Sequence, residues 1–402
     1  MTISRRTFLK TATASVGALI APGVLLRARP ARAVGTDPVL VALFLRGGAD
    51  ALSLVVPHGD PTYYAVRPTI QVPAGQELDL DGFFGFHPSL APLLPLYQSG
   101  RLAVLHACGS PSDSRSHFDS QDFMEFAAPD DKTVQVGWLN RFLSSAGLGG
   151  AVTAVTIENA AAKSLSGPVG TIAIPALSRF SIYGTYPTER RDAIRAICSA
   201  SSNSILRAMG TNAVDIVTTV GAIDTTTSTV YPTTKLGAAM KDLAALIKAD
   251  IGLRVAAVNH SSWDHHALQN VNLPIMAGDL SSSLAAFAND LGGDLDRTLV
   301  LVMSEFGRRV AENGATGSDH GHGAIMMALG GGVAGGGGVI LKNGQWPGLA
   351  QANLFDGIDL KATTDFRDVF GEVLDRHMGL ANLTGVFPNF TSSSANYPGL
   401  FA

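Results

Sequence analysis

Carboxylates, imidazoles and hydroxyls gather in a few short stretches of this chain, most of them just after an apolar run. They are Arg46-Gly47-Gly48-Ala49-Asp50, Gly109-Ser110-Pro111-Ser112-Asp113-Ser114-Arg115-Ser116-His117, His260-Ser261-Ser262-Trp263-Asp264-His265-His266 and Ser304-Glu305-Phe306-Gly307-Arg308-Arg309, with Asp319-His320-Gly321-His322-Gly323 shortly beyond. Six of the ten histidines lie in these segments and His106 lies just before one of them, which points to metal chemistry more than to scattered surface polarity. Mixed imidazole and carboxylate donors suit a divalent ion such as Zn, Mn or Fe, and carboxylate-rich sets lean towards Mg or Ca. The candidate ligands are Asp50, Asp264, His266, Glu305, His320 and His322. Two such ions about 4 Å apart would clamp the attacking and leaving oxygens of an ester.

The serine-rich turn runs into a helix expected from Phe118. Free N–H groups and a hydroxyl there suit an anion or an anionic transition state. Ser116, with Ser114 as its competitor, is the candidate nucleophile, and Arg115 the candidate anion holder. Either serine also fits an ordinary helix N-cap, as does Asp50 after its Gly-Gly turn. His87-Pro88 is expected to shape a turn, His58 to lie at the surface and His377 to be solvated.

These residues need elements to position them. Val39 to Leu45 and Thr298 to Met303 are apolar on both faces, as buried parallel strands require. Leu102 to Ala107 and Arg254 to Val258 read the same way, with Ala151 to Ile157 and Thr171 to Ile174 weaker. Helical patterns cover Glu189 to Met209, Thr234 to Lys248 and Ile275 to Leu291. This alternation predicts an α/β three-layer sandwich with a mostly parallel central sheet, over residues 34–402 as one domain, with an insertion or surface excursion near 210–235. In such a sheet ligands bind outside the carboxyl ends of the strands, where the polar segments fall. The glycine-rich stretch 330–338 has neither the Lys-Ser/Thr nor the helix start of a phosphate loop and reads as a turn.

Residues 1–33 carry an export signal. Ser4-Arg5-Arg6-Thr7-Phe8-Leu9-Lys10 fits the twin-arginine pattern, an apolar stretch runs to Leu26, and Ala31-Arg32-Ala33 is a small-x-small cleavage site. The apolar stretch falls short of the roughly 20 residues a membrane span needs. The expected partner is the Tat translocase during export, and the expected location is periplasmic or secreted, without a stable membrane anchor. The signal holds six of the Lys and Arg residues and no acid, so the net charge of −4 becomes −10 after cleavage. With no basic run left, nucleic acid is not an expected partner, whereas a small anionic ester substrate is. Cys108 and Cys198 can pair in an oxidising compartment, and the sequence leaves that open.

Together these stretches resemble the DUF1501 family of exported bacterial proteins. The resemblance rests on Leu43 to Asp50, Phe86-His87-Pro88-Ser89-Leu90, Ser116-His117-Phe118-Asp119-Ser120-Gln121, Gly137-Trp138-Leu139-Asn140-Arg141, Trp263-Asp264-His265-His266, Ser304 to Arg308 and Asp319-His320-Gly321. The family more distantly resembles the alkaline phosphatase and sulfatase superfamily. That likeness implies an alkaline-phosphatase-like sheet carrying two metal ions and a hydroxyl nucleophile at a helix start. It matches Asp50 to the first-strand metal aspartate, Asp264 and His266 to an Asp…His pair, Glu305 to a late-strand aspartate, and His320 or His322 to a late histidine. Ser262 and His265 stand where the family usually has Gly and Thr, and Glu305-Phe306 where the superfamily has Asp-His. The expectation is a metal-dependent hydrolase of phosphate or sulfate esters; the alternative is a non-catalytic binding or assembly protein with a degraded site.

Overall fold

A computed structural model describes residues 36–182 and 184–401; the twin-arginine signal lies outside them. Eight strands form the main sheet: β1 (Val39–Leu45), β2 (Leu102–Gly109), β3 (Ala154–Thr156), β4 (Ile172–Ala173), β5 (Val255–His260), β6 (Thr298–Met303), β7 (Ala324–Gly330) and β8 (Thr364–Asp365). Their spatial order is β8-β2-β7-β6-β1-β5-β3-β4. β1 pairs in parallel with β5 and β6, β3 with β5 and β4, and β8 with β2. Only β7 runs against its neighbours, β6 and β2. The sheet is therefore mostly parallel.

The helices that matter for the site and the core are α1 (Ala51–Leu54), α2 (His117–Glu125), α3 (Trp138–Ser145), α4 (Pro187–Ser199), α5 (Ser204–Gly221), α6 (Lys235–Lys248), α7 (Gln269–Leu291) and α8 (Phe366–Glu372). Successive residues of a strand face opposite sides of the sheet, and β1 uses both. Val39, Val41, Leu43 and Leu45 pack with Leu243 and Leu246 of α6 and Leu280 and Phe287 of α7. Leu40, Ala42 and Phe44 pack with Leu139 and Phe142 of α3 and Phe366 and Phe370 of α8. Two apolar layers thus sandwich the sheet, and the unbroken apolar run of β1 follows from burial on both faces. On the second face the Trp138 and Phe370 rings stack at 4.1 Å.

Some elements depart from the sequence pattern. The helix expected over Glu189 to Met209 is two helices, α4 and α5, because Asn203 caps the second by accepting the Ile205 and Leu206 N–H groups. Much of the stretch expected as an excursion near 210–235 belongs to α5, and residues 222–234 are irregular. β7 was not anticipated, since its apolar residues run straight into the glycine-rich turn. His377 is not solvated: its Nε2 lies 3.0 Å from the Val39 carbonyl, and burial pushes its pKa down. Cys108 and Cys198 are buried and free, so they make no disulfide. Among the described residues no helix is long and apolar enough to cross a membrane.

The charge of one buried acid, Asp368, is only partly offset, by Lys342 and Arg367. Asp368 in α8 has an oxygen without a hydrogen-bond partner, and burial, helped by the Asp365 charge, pushes its pKa up from 3.8 to about 6. Because the folded value is the higher one, protonated Asp368 favours the fold at acid pH, and that contribution is lost as pH rises through about 6. Asp368→Asn is expected to match the wild type near pH 4 and to exceed it by about 2 kcal/mol at pH 8. Urea unfolding at the two pH values checks this; equal stability at pH 8 would refute it.

Candidate metal centre

The parallel strands β1, β5 and β6 deliver their following loops to one edge of the sheet. β7 is antiparallel, so the residues just before it reach that same edge, which is how Asp319 and His320 join residues that follow strands. The turn after β1 permits the approach. Gly47 has φ 120°, and a Cβ there would stand 2.6 Å from the Asp264 nitrogen. Gly48 has φ 66°, and its Cβ would strike the Phe306 ring. Only glycine combines that backbone with that clearance.

Among the described residues, His117, Asp264 and His320 have donor atoms all within 4.8 Å of one another. His117 Nε2 is buried, lacks a hydrogen-bond partner and lies 3.4 Å from Asp264 Oδ2. His320 Nε2 is 3.4 Å from Asp264 Oδ1. His266 joins them, its Nε2 3.0 Å from Asp264 Oδ1 and 2.9 Å from His320 Nε2. His117, Asp264 and His320 therefore converge on a small volume, and His266 Nε2 touches two of the three.

The opposite nitrogen of each ring is held. His117 Nδ1 meets Glu305 Oε1 at 2.8 Å, His266 Nδ1 meets Asp319 Oδ1 at 3.1 Å, and His320 Nδ1 meets the Arg115 carbonyl at 2.7 Å. An acceptor at Nδ1 fixes a tautomer that leaves Nε2 as a lone-pair donor, the usual outer support of a metal-bound histidine. Phe306 packs against the His117 and His320 rings at 4.8 and 5.1 Å. A partnerless buried nitrogen, two imidazoles and a carboxylate that converge with His266 beside them, and held outer nitrogens fit one divalent ion of the Zn, Mn or Fe type.

Charges on the acids follow from their partners. Burial raises the Asp264 pKa, but the hydrogen bond and charge of Arg308, with His266 and His117, outweigh it and bring it to about 2. Glu305 is 1 % exposed. Burial opposes its ionisation, and His117 and Gln121 hydrogen bonds more than offset that, so its pKa falls. The bond to Glu305 raises that of His117.

Other expected site residues stand elsewhere. Asp50 caps α1 and bonds Arg67, Ser53 and Gln269, in a fully buried ion pair with Arg67. Glu305 lies behind His117, its Oε1 also accepting the Gly47 N–H and Gln121 Nε2. His322 stacks on Phe355 at 4.2 Å, and its Nδ1 accepts the Ala362 N–H. Ser116 caps α2 by accepting the Asp119 N–H, and Ser114 Oγ accepts the Ser116 N–H. Arg115 is paired with Asp356 and Asp359, which offset its charge. His265 is buried beside Trp263. His87 does shape a turn, accepting the Ser89 N–H. Sequence reasoning had placed His117 among the clustered histidines without making it a ligand, and had missed Asp319 and Arg308 as supports. The His117 signal was its place at a helix start after a serine-rich turn.

Ser262 adopts φ 79°. That is the left-handed region, which costs a residue with a Cβ roughly 1 kcal/mol. Ser262→Gly is expected to raise the unfolding free energy by about 0.5–1 kcal/mol, net of the glycine's extra chain entropy, with no loss of metal uptake. A lowered melting temperature would count against it.

Comparison with known proteins adds to this picture. No curated protein matches the sequence. Among solved structures, the chain is similar to the zinc complex of the C-terminal periplasmic domain of EptC from Escherichia coli, at 10% identity and TM-score 0.35, covering 74% of each chain. It is also similar to a protein in the alkaline phosphatase superfamily from Vibrio parahaemolyticus, at 12% identity and TM-score 0.36, covering 82% of this chain and 70% of that one. A third is the lipoteichoic acid synthase LtaP from Listeria monocytogenes, at 9% identity and TM-score 0.36, covering 98% and 80%. The family described as "Protein of unknown function (DUF1501)" matches residues 37–387, nearly all of the described chain, and the chain belongs to that family.

Proposed function

We propose that this protein is an exported, metal-dependent hydrolase of phosphate or sulfate esters. The observation that carries the reading is the convergence of His117, His266 and His320 Nε2 with the Asp264 carboxylate, each ring backed at Nδ1. A divalent ion bound there would act as a Lewis acid on an ester oxygen and neutralise developing negative charge. The chain's own part is to hold the donors: Glu305, Asp319 and the Arg115 carbonyl orient the rings. Arg308 keeps Asp264 ionised through a 2.5 Å hydrogen bond and adds positive charge beside it. Ser116 stands next to His117 in sequence and is the hydroxyl proposed to attack phosphorus or sulfur, breaking the bond to the ester's alkoxide. The alkoxide would take up the serine proton and leave as the alcohol before water releases the phosphate or sulfate. Its capping bond to Asp119 N–H uses a lone pair and leaves the O–H free to be drawn away.

A second reading has its own observation. Asp50 and Glu305 are committed to internal hydrogen bonds, so the donor set suits one ion better than two. A protein that binds metal and an anion without turnover, for assembly or capture, fits such a reduced set. Turnover of aryl phosphates and aryl sulfates by metal-loaded protein separates the two readings.

Elemental analysis after native export, without chelators, is expected to find about one Zn, Mn or Fe per chain. Asp264→Ala combined with His266→Ala should empty the site, whereas Asp50→Asn should keep wild-type metal content at some cost in stability. Glu305→Gln should retain metal with affinity weakened about 10- to 100-fold, as for an outer support. Unchanged metal in the double variant would rule the centre out.

A further inference from the structure

A cavity of about 490 Å³ adjoins the histidine group and plays no part in the reading above. Val66, Val310, Leu349 and Leu354 supply apolar wall. Arg309, Asn313 and Asp319 also line it. Asp319 belongs to both places, because its Oδ1 bonds His266 Nδ1 at 3.1 Å and Asn313 Nδ2 at 3.0 Å. Glu312, another lining acid, is committed to the Thr69 and Ile70 N–H groups. Arg309 is less committed: its Nε is buried without a hydrogen-bond partner, and its Nη1 lies 3.7 Å from Asp319 Oδ2. A buried donor on a cation calls for an acceptor.

We propose that this cavity binds the apolar body of a single-chain amphiphilic phosphate or sulfate ester, with its anionic head at Arg309 beside the Asp319 end. The volume falls within the roughly 300–1,000 Å³ of sites that take small molecules. Apolar wall gains by covering hydrocarbon, and the unpaired Arg309 donor gains by meeting an anionic oxygen. Arg309, whose Nη1 lies 3.7 Å from Asp319 Oδ2, places the head at the end of the cavity nearest the histidine group. The assignment of the ester as the reacting group rests on the reading above; the cavity's preference for an apolar body does not.

The test is calorimetric titration of the purified protein with ethyl, butyl, hexyl and octyl phosphate, in Zn-loaded and chelated samples. Each added methylene is expected to tighten Kd about threefold to fourfold until the cavity is full. Ala311→Trp, at an exposed lining position, should abolish the chain-length trend and leave Zn content unchanged. Arg309→Gln should weaken every chain length alike, by about tenfold. A Kd independent of chain length, or a wild-type trend in Ala311→Trp, would overturn the assignment. Zn content of the same samples separates the two proposals. A trend in protein that takes up no Zn removes the metal reading and keeps the cavity, and Zn uptake without a trend does the reverse.

Discussion

A single buried carboxylate organises the edge of the sheet. Glu305 follows β6 directly and is almost wholly excluded from water. An ionised carboxylate in that position costs several kcal/mol unless donors surround it. Three donors come from two other parts of the chain: the Gly47 N–H after β1, and His117 and Gln121 in α2. Satisfying one charge therefore fixes the β1 turn, the helix that follows the serine-rich loop and the end of β6 relative to one another. Gln121 extends the tie by accepting from Arg46, whose guanidinium also reaches Glu125 and Asn259. His117 is the member of this network that faces outward, and its free nitrogen points the network's rigidity at the candidate centre.

Two buried arginines divide the aspartates into different roles. Arg67 closes on Asp50 together with Ser53 and Gln269, so that all the donors and both oxygens are accounted for within the fold. Removing one partner of such a pair leaves an uncompensated buried charge, typically a 3–5 kcal/mol loss. Arg308 is equally buried, yet it donates to the Gly47, Gly48 and Ser318 carbonyls as well as to Asp264. Asp264 is left 43% exposed with Oδ2 directed at His117. One aspartate is spent on structure, and the other is held ionised at an open edge.

Much of the fold was legible because burial on both faces leaves unbroken apolar strands, and β1 and β6 fall where that pattern put them. β7 escaped because seven apolar or small residues before a glycine run have no period of their own, and only pairing between β2 and β6 makes them a strand. The centre was legible as a set of segments and less so as roles. Asp264, His266 and His320 stand together because each sits in a loop that leaves or enters a strand at one edge of the sheet. Asp50 has the same sequence context, but its fate is decided by Arg67 and Gln269, and nothing local in the motif announces a guanidinium folded back onto it. His117 was passed over for the converse reason: its supporting carboxylate lies 188 residues away, beyond any local pattern.

The one antiparallel strand described in the main sheet has a geometric consequence for chemistry. Parallel strands present the residues that follow them, and in this sheet those supply Gly47, Asp264, His266 and Glu305. β7 presents the residues that precede it, so the connection 304–323 can turn back and place Asp319 and His320 at the same edge. Arg308 and His320 pair across that return, and Gly321 N–H bonds the Gly307 carbonyl. A parallel strand in the same position would have required a crossover of a dozen residues or more and delivered its start to the far edge. The reversal thus brings a supporting acid and a ligand-type histidine to the centre from within the connection 304–323, which contains no helix and returns to the edge it left.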